Sequence, residues 1–197
     1  MTIALHDDRT DMADESEELT LDAMFEALER MPVPEGYKVE IVEGALYATP
    51  QRDVHWDVIL DVVEQLRTKY ARARVKSDVR IDFPGRLNGF ATDVTALAKD
   101  ATKTEKGRWR YQDIEFVAEV ISKDTAANDY GPKRSVYAVA KVPVYLIVDP
   151  YTAQCHLFTL PKDGDYRNEL TLDFGDPVDL TGTVVGLVLA TDEFPRD

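Results

Sequence analysis

The sequence predicts a mixed fold of class α/β or α+β, in which helices flank a central β-sheet and a β-hairpin lies near the N-terminus. Two amphipathic stretches, 19–30 and 53–71, have the apolar spacing of helices. Two largely apolar runs, 114–122 and 142–149, have the length and composition of buried strands. A third helical segment over 128–141 separates these runs, and that alternation is typical of helices packed on a sheet.

Turn and cap residues place the elements along the chain. Thr20 can cap the first helix, and Pro32 ends it. The stretch 37–49 predicts a hairpin, since the Glu-Gly pair at 43–44 forms a tight turn between two strands. We expect Pro132 in the first turn of the third helix. The remaining stretches predict strands at 75–83, 91–98, 153–160, 168–174 and 183–189, with a polar loop over 99–112.

Composition and charge limit the classes of protein to consider. The 197 residues include 44% hydrophobic and 30% charged residues, which is typical of a globular domain with a substantial core. The net charge of -14 lies at the two ends: residues 1–30 carry ten acidic and two basic side chains, and 161–197 carry nine and three. We interpret 1–18 as a mobile acidic tail and 19–197 as a single domain.

The sequence also limits the compartment and the kind of metal site. One cysteine excludes an internal disulfide and a thiolate cluster, and three scattered histidines do not make a histidine-rich site. No apolar run approaches the roughly 20 residues that span a bilayer, and the acidic N-terminus does not resemble a secretory leader. We therefore expect a cytoplasmic protein with no membrane partner.

Two basic strips interrupt the acidity of the chain. One interpretation is that each strip is an ordinary solvated face. The other is contact with a phosphate backbone, which needs positive charge but no base recognition. The first strip comprises Arg67, Lys69, Arg72, Arg74, Lys76 and Arg80, and the second comprises Lys103, Lys106, Arg108 and Arg110, interleaved with Trp109 and Tyr111.

Two acidic residues lie inside predicted strands. Asp93 falls in ATDVTALA and Glu119 in IEFVAEVIS, where alternation puts Glu119 on the same face as Val117 and Ile121. A buried carboxylate is costly unless it is paired or binds a metal ion. Either acid alone is compatible with a structural bond to backbone or arginine. As a pair on neighbouring strands they form a candidate Mg²⁺ site, since Mg²⁺ needs one or two carboxylates with water and substrate phosphate.

Lys133 is unexpected in the first turn of a helix, where the helix dipole disfavours a cation. It follows Asp129 by four residues and precedes Tyr137 by four, so the three side chains can share one face. One interpretation is a surface ion pair between Asp129 and Lys133, of small energetic consequence. The other is that Lys133 leans over the two acids, where it could orient or help deprotonate an attacking water and stabilise phosphoryl charge.

Two further residues have open interpretations. His55 lies on the apolar face of its helix, one turn before Ile59, and Glu40 lies within a strand of the hairpin. Each can be a structural residue with satisfied hydrogen bonds, or each can add an acid–base group or a metal contact to the site. The sequence has no Gly-rich phosphate loop and no His-Glu-x-x-His motif.

These residues stand within segments that resemble a known family. YKVEIVEGALYATP, ATDVTAL and FVAEVISKDTAANDYGPKRSVYAVAKVPVYLIVDP, together with His55, resemble the Uma-type restriction endonucleases of the PD-(D/E)XK nuclease superfamily over 35–150. The resemblance implies a restriction-endonuclease-like core that hydrolyses DNA with Mg²⁺ or Mn²⁺. The residues that it implies for catalysis are Asp93, Glu119, Lys133, Glu40 and His55, and those for the metal are Asp93, Glu119 and the Val120 carbonyl.

Two positions depart from the superfamily signature. Thr92 stands where a proline usually precedes the aspartate, and we expect no consequence. Ile121 stands where the signature has its lysine. Activity therefore depends on Lys133 taking over that role from the following helix.

Three functional hypotheses follow. The first is a Mg²⁺-dependent endodeoxyribonuclease, for which a homodimer is compatible because nucleases that cut both strands often pair two sites. The second is a catalytically degenerate nuclease-fold module that binds nucleic acid or a protein, since the charge of -14 slows association with DNA and Ile121 replaces the lysine. In the third, the acidic ends contact a basic partner or mask the active cleft.

Overall fold

The computed structural model describes residues 19–32, 36–50 and 52–197. The acidic tail predicted for 1–18 lies outside the described residues. Among the residues that are described, no helix has the length and apolar character needed to cross a membrane.

The first helix and the hairpin are confirmed. Helix α1 spans Leu21–Glu29, and its N-cap Thr20 accepts a hydrogen bond from a backbone N–H of the first turn. Strands β1 (Tyr37–Val42) and β2 (Ala45–Pro50) pair in antiparallel register. Both residues at 43–44 have positive φ, which is the geometry of a tight hairpin turn.

Helix α2 is shorter than the sequence predicts. It spans Asp53–Leu66 and not 53–71, although Tyr70 still packs in the core just beyond the helix end. Its apolar stripe faces the sheet as expected, with buried side chains His55, Val58, Ile59, Val62 and Leu66.

The strands form two larger sheets and a small ribbon. The remaining strands are β3 (Val75–Lys76), β4 (Val79–Phe83), β5 (Asn88–Thr92), β6 (Val94–Leu97), β7 (Ile114–Val120), β8 (Val144–Asp149), β9 (Gln154–Lys162), β10 (Asp165–Asp173), β11 (Val178–Asp179) and β12 (Val188–Leu189). A six-stranded sheet has the order β10-β9-β8-β7-β6-β3, and a four-stranded sheet has the order β2-β1-β5-β4. Only β7 and β8 pair in parallel in the six-stranded sheet, so the predicted mixed sheet is confirmed.

Two predicted strands are each divided between the sheets, which is a correction. The stretch 75–83 breaks at Asp78, whose φ of 53° does not continue a strand. The stretch 91–98 breaks at Asp93, so that β5 belongs to the four-stranded sheet and β6 to the six-stranded one. Asp93 therefore lies at the crossing point between two sheets and not inside one strand.

The third helical segment begins earlier and is less regular than expected. It consists of α3 (Ala126–Asn128), a π-helical turn (Asp129–Lys133) and α4 (Arg134–Val139). Pro132 lies within the π turn and not in the first turn of the helix, which corrects the sequence prediction. Because proline has no backbone N–H and its ring crowds the preceding turn, a widened turn is a physical way to accommodate it.

The C-terminal region differs from the sequence prediction at one strand. Strands β9 and β10 confirm the two strands predicted at 153–160 and 168–174, are longer than predicted, and pair in antiparallel register. The strand predicted over 183–189 is reduced to β12, which pairs with β11. Thr183, Val184 and Val185 are not extended into this ribbon, because they form turns that follow Leu180.

The six-stranded sheet carries apolar side chains on both faces. One face packs against α2, and the other packs against α4 and the four-stranded sheet. Along β7, Phe116 and Ala118 lie in the α2 cluster, whereas Val117 and Ile121 lie in the other cluster. This alternation puts Glu119 on the side of α4 and the four-stranded sheet, as the sequence predicts.

Candidate active site

Six charged side chains from four parts of the chain meet where the two sheets face each other. Strand β1 contributes two of them, the sheet crossing one, the end of β7 one and the π turn two. No side chain in the group is more than 11% exposed. The group comprises the carboxylates of Glu40, Asp93, Glu119 and Asp129 and the ammonium groups of Lys38 and Lys133.

The two acids predicted as a pair lie side by side. The backbone N–H of Asp93 donates to Oε2 of Glu119 at 3.3 Å. The Oδ2 atom of Asp93 accepts from the Val120 N–H at 2.7 Å. These two bonds connect the sheet crossing to the end of β7, so that both carboxylates point into the same space. The metal-binding role implied for the Val120 carbonyl stays a prediction.

Lys133 reaches into the centre of the group. Its Nζ lies 2.8 Å from Oε1 of Glu119, 2.8 Å from Oδ1 of Asp129 and 3.1 Å from Oε2 of Glu40. The hydroxyl of Tyr137 donates to the same Oε1 of Glu119. The Asp129–Lys133 pair is therefore formed, but it is buried inside the site and is not a surface pair.

Asp129 and Lys133 stand at the two ends of the π turn, and both of their charged side chains point into the site. Widening the turn around Pro132 rotates Asp129 and Lys133 toward β7, where both side chains are buried. The widened turn also leaves the carbonyl of Asp129 to accept a hydrogen bond from the Tyr145 hydroxyl at 3.0 Å. The irregular backbone thus has a bonding partner outside the helix and coincides with the candidate site.

Lys38 is a member of the group that sequence reasoning missed. Its Nζ lies 2.7 Å from Oδ1 of Asp93 and 3.5 Å from Oε2 of Glu119, so it bridges the two acids. It is also 3.9 Å from Glu40. The sequence contained one indication that Lys38 belongs to the site. Lys38 and Glu40 are two residues apart in one strand, so their side chains share a face.

Glu40 joins the group from the four-stranded sheet. Its Oε1 accepts a hydrogen bond from the Ala91 N–H at 3.0 Å, and its Oε2 pairs with Lys133. Glu40 is 8% exposed. The structure therefore brings together four of the residues singled out in the sequence, namely Asp93, Glu119, Lys133 and Glu40.

His55 lies at the border of the site. Its Nε2 is 2.8 Å from the backbone carbonyl oxygen of Ile121. A carbonyl oxygen only accepts, so Nε2 must carry the proton in this contact. The sequence left open whether His55 has a structural hydrogen bond, and this contact is such a bond. It holds in place the residues that follow Glu119 at the end of β7.

Burial and charge act in opposite directions on the carboxyl groups. Burial raises the pKa of Asp93, although Lys38 opposes the shift. Burial also raises the pKa of Asp129 to about 7 against the effect of Lys133. At Glu119 burial is outweighed by the charges of Lys133 and Lys38, which lower its pKa to about 2. Glu119 is thus the firmly ionised member, whereas Asp129 is poised to hold a proton.

The two ammonium groups stay charged. Burial by itself would lower the pKa of Lys133, but Asp129, Glu119 and Glu40 outweigh it and raise that pKa well above the usual value. The same balance raises the pKa of Lys38 through Asp93 and its neighbours. A lysine that remains protonated can donate hydrogen bonds and stabilise negative charge, but it cannot accept a proton from water.

The donor set fits a hard divalent cation in chemistry and charge. Within the described ranges no three His, Cys, Asp or Glu side chains are arranged as a ready metal-holding group, because the lysine ammonium groups lie between the carboxylates. Four carboxylates facing two ammonium groups leave a formal charge of two negative units, which one divalent ion would balance. An adjoining cavity of about 10 Å³, lined by Lys38, Asp93 and Asp129 among others, is about the size that one water molecule needs.

Comparison with known proteins agrees with the fold. One solved structure, titled as a putative nuclease belonging to DUF820 from Anabaena variabilis ATCC 29413, superposes with a TM-score of 0.67 at 14% sequence identity. The match covers 89% of this chain and 97% of that chain, and it shows a shared fold. No curated protein matches this chain.

Comparison with protein families confirms the resemblance stated from the sequence. The family model described as "Uma2: Putative restriction endonuclease" matches residues 25–192, which is most of the chain. The match spans β1, the Asp93 crossing, β7 and the π turn, and therefore every residue of the candidate site. The chain belongs to the Uma2 family of putative restriction endonucleases.

Proposed function

We propose that this protein is a metal-dependent endonuclease that hydrolyses DNA phosphodiester bonds at the group around Asp93 and Glu119. The observation that carries the proposal is the buried contact between these two acids, with Lys133 2.8 Å from Glu119. Four carboxyl groups converge here on two ammonium groups, which is more acids than one-to-one salt bridges would use.

Asp93, Glu119 and the Val120 carbonyl are the groups that would hold the ion, with Mg²⁺ as the expected metal and Mn²⁺ as its substitute. A bound divalent ion would lower the pKa of a coordinated water and polarise a phosphoryl oxygen. The chain's own part is to hold both carboxylates in place. The bonds from the Asp93 and Val120 amides provide this preorganisation before any ligand enters.

Lys133 serves in this proposal as a fixed positive charge. Its raised pKa favours the charged form, which suits the role of orienting the attacking water and stabilising negative charge on the phosphoryl group. Ion pairs to Glu119, Asp129 and Glu40 hold the ammonium group in one position. Preorganised charge of this kind requires little rearrangement during the reaction.

Lys38 supplies the cation that the signature position lacks. The Ile121 side chain is 2% exposed and belongs to the apolar core, so that position offers no charge to the site. Lys38 instead places an ammonium group 2.7 Å from Asp93, from a strand on the opposite sheet. In this proposal Lys38 is, beside Lys133, a second positive charge close to the place of the substrate phosphate.

A second candidate function is a degenerate nuclease fold that binds nucleic acid or protein without cleavage. The ion pairs in the group favour this function. Lys38 and Lys133 already neutralise part of the carboxylate charge that a metal ion would otherwise neutralise. The two functions differ in one measurable property. The enzyme needs divalent-ion binding at Glu119, whereas the degenerate module does not.

Cleavage of supercoiled plasmid in Mg²⁺ or Mn²⁺ tests the proposal. We expect Asp93→Asn to lower the nicking rate by more than about 100-fold, as loss of a group that acts on the transition state does. The matched control is Asp57→Asn, an exposed carboxylate on α2, which should nick like the wild type. Equal nicking by all three proteins would reveal a contaminating nuclease and contradict the proposal.

Calorimetry with Mn²⁺ separates the two candidate functions. The endonuclease predicts heat of binding in the wild type that is lost in Glu119→Gln and kept in Asp57→Asn. Absence of Mn²⁺ binding in a folded wild-type protein would favour the degenerate module. A urea denaturation curve for each variant shows whether it is folded under the titration conditions.

A further inference from the structure

A second group of charges joins α1 to the sheets outside the active site. Arg80 lies on β4, and Lys106 and Arg108 lie in the polar loop before β7. We call these three residues the arginine–lysine cluster. Asp22, in the first turn of α1, contacts all three of them.

The contacts of Asp22 are short and come from different directions. Its Oδ1 lies 2.6 Å from Arg108 and 3.1 Å from Arg80, and its Oδ2 lies 2.6 Å from Lys106. Asp82 is a second carboxylate of the group, 2.7 Å from Arg80 and 3.0 Å from Arg108. A single carboxylate held by three cations has the environment of a bound anion and not that of an isolated surface pair.

The arginine–lysine cluster has a surplus of positive charge. Three cations face two carboxylates, and without Asp22 they would face Asp82 alone. Hydrogen bonds from Lys106 and Arg108 hold the pKa of Asp22 well below its usual range, so the carboxylate stays ionised. The Arg80 and Arg108 side chains are 18% and 24% exposed, which leaves them accessible from solvent once Asp22 moves.

Helix α1 is held over this cluster by few contacts. Leu28 is the one fully buried side chain of its nine residues. The ring of Phe25 lies 3.6 Å from the Arg80 guanidinium, and it rests on Gly89, where a β-carbon would come within 2.6 Å of the ring. A short helix with so little buried surface is of low local stability and can be displaced as a unit.

The arginine–lysine cluster and the candidate active site lie on opposite faces of the four-stranded sheet, because Arg80 alternates along β4 with the core residues Ile81 and Phe83. Arg80 and Lys38 line the same depression, of about 310 Å³. Arg80 also pairs across the strand with Ala91, whose N–H donates to Glu40 of the active site. On the other side, Lys106 and Arg108 line a depression of about 450 Å³ with aromatic Trp109 and Tyr111. Acidic side chains also line these depressions, Asp78 the first and Asp82 and Glu105 the second.

We propose that the arginine–lysine cluster is a phosphate-binding site for the nucleic-acid backbone outside the active site, and that Asp22 occupies it as an internal substitute for a phosphate. The inference rests on the proposed function, because that function makes nucleic acid the ligand. Phosphate binding then requires α1 to leave the cluster. The acidity of 1–30 adds repulsion against a polyanion while α1 is in place.

The test is binding of a fluorescent DNA duplex in EDTA, measured by anisotropy on full-length protein. Asp22→Asn keeps the shape of the side chain and removes the competing charge. We expect it to bind the duplex several-fold more tightly, with a salt slope steeper by roughly 0.9 for each additional phosphate that the protein neutralises. The matched control is Glu26→Gln on the same helix, a residue that pairs with Arg30 at 4.0 Å and should change affinity less than Asp22→Asn does.

Removal of a cation gives the opposite change. Lys106→Gln in the Asp22→Asn background should reverse most of the increase in affinity, and since Lys106 is 67% exposed the fold should tolerate it. Equal affinities for Asp22→Asn and Glu26→Gln, or an unchanged affinity in the double variant, would overturn the inference. Because EDTA removes divalent ions, the outcome does not depend on whether the protein cleaves DNA, so failure of the proposed nuclease activity remains separable.

Discussion

The two charge groups of this protein differ in burial and in sign. The active-site group is enclosed between two sheets and has an excess of carboxylates, whereas the arginine–lysine cluster is partly exposed and has an excess of cations. Buried excess charge is costly unless a ligand of opposite sign balances it. An exposed excess is screened by solvent and can exchange partners. The difference in sign and burial is what the two proposals rest on, a divalent cation for the active-site group and a phosphate for the arginine–lysine cluster.

Removal of a buried cation from the active-site group should have the largest effect on stability, and it tests whether burial makes this group different from a surface ion pair. Lys133→Met leaves Glu119, Asp129 and Glu40 without their common partner, and we expect it to lower the free energy of unfolding by about 3–5 kcal/mol. Urea denaturation at pH 7.5 measures the change. The surface control is Arg167→Met, whose pair with Asp163 is more than half exposed and should contribute at most about 1 kcal/mol. Equal effects of both variants would show that burial does not distinguish the two environments.

The pH dependence of the free energy of unfolding tests whether burial changes the titration of Asp129 in the active-site group. Burial raises its pKa from 3.8 to about 7, so between these values the folded protein holds a proton that the unfolded chain releases. This titration by itself should therefore lower the stability of the wild type as the pH rises from about 4 to about 7, by an amount of order 3 kcal/mol. Asp129→Asn lacks this titration, and its stability relative to the wild type should increase over that interval.

Denaturation of both proteins at pH 4.5, 6 and 7.5 measures this difference. Asp163→Asn, in the exposed pair with Arg167, serves as the control. A constant difference between wild type and Asp129→Asn at all three pH values would contradict the raised pKa.

Lys38 gives the smallest expected effect and tests where a metal ion would enter. Its ammonium group bridges Asp93 and Glu119, so a divalent ion at these acids must displace or approach it. Lys38→Met removes that repulsion and should tighten Mn²⁺ binding by about tenfold in calorimetry. Lys99→Met, an exposed lysine, should leave the affinity unchanged. Weaker Mn²⁺ binding in Lys38→Met would show that Lys38 supports the metal and does not compete with it.

The elements that sequence reasoning predicted well are those with a strong local pattern. Strands β7 and β8 are continuous apolar runs, and α2 has a clear apolar stripe, so the periodicity alone located them. The sheet crossing at Asp93 was not predicted because the flanking residues remain extended and apolar on both sides. Nothing local distinguishes one long strand from two short strands that pair with different sheets.

The candidate site shows the same division. Asp93, Glu119 and Lys133 stood out because each has a charge where the local pattern predicts none. Lys38 did not stand out, since a lysine in a hairpin strand near the surface is ordinary. Only the packing of β1 across the site places its ammonium group on Asp93.

The sequence by itself determined the family, the mixed class of fold and four charged residues of the candidate site, because motifs and apolar periods are properties of short segments. The tertiary structure decided that four carboxylates and two lysines share one enclosed space, and that Asp22 covers a separate basic cluster. Those arrangements include contacts between residues as many as 93 positions apart in the chain. Electrostatic energy depends on distance and burial, and both are set only when the sheets and α1 pack together.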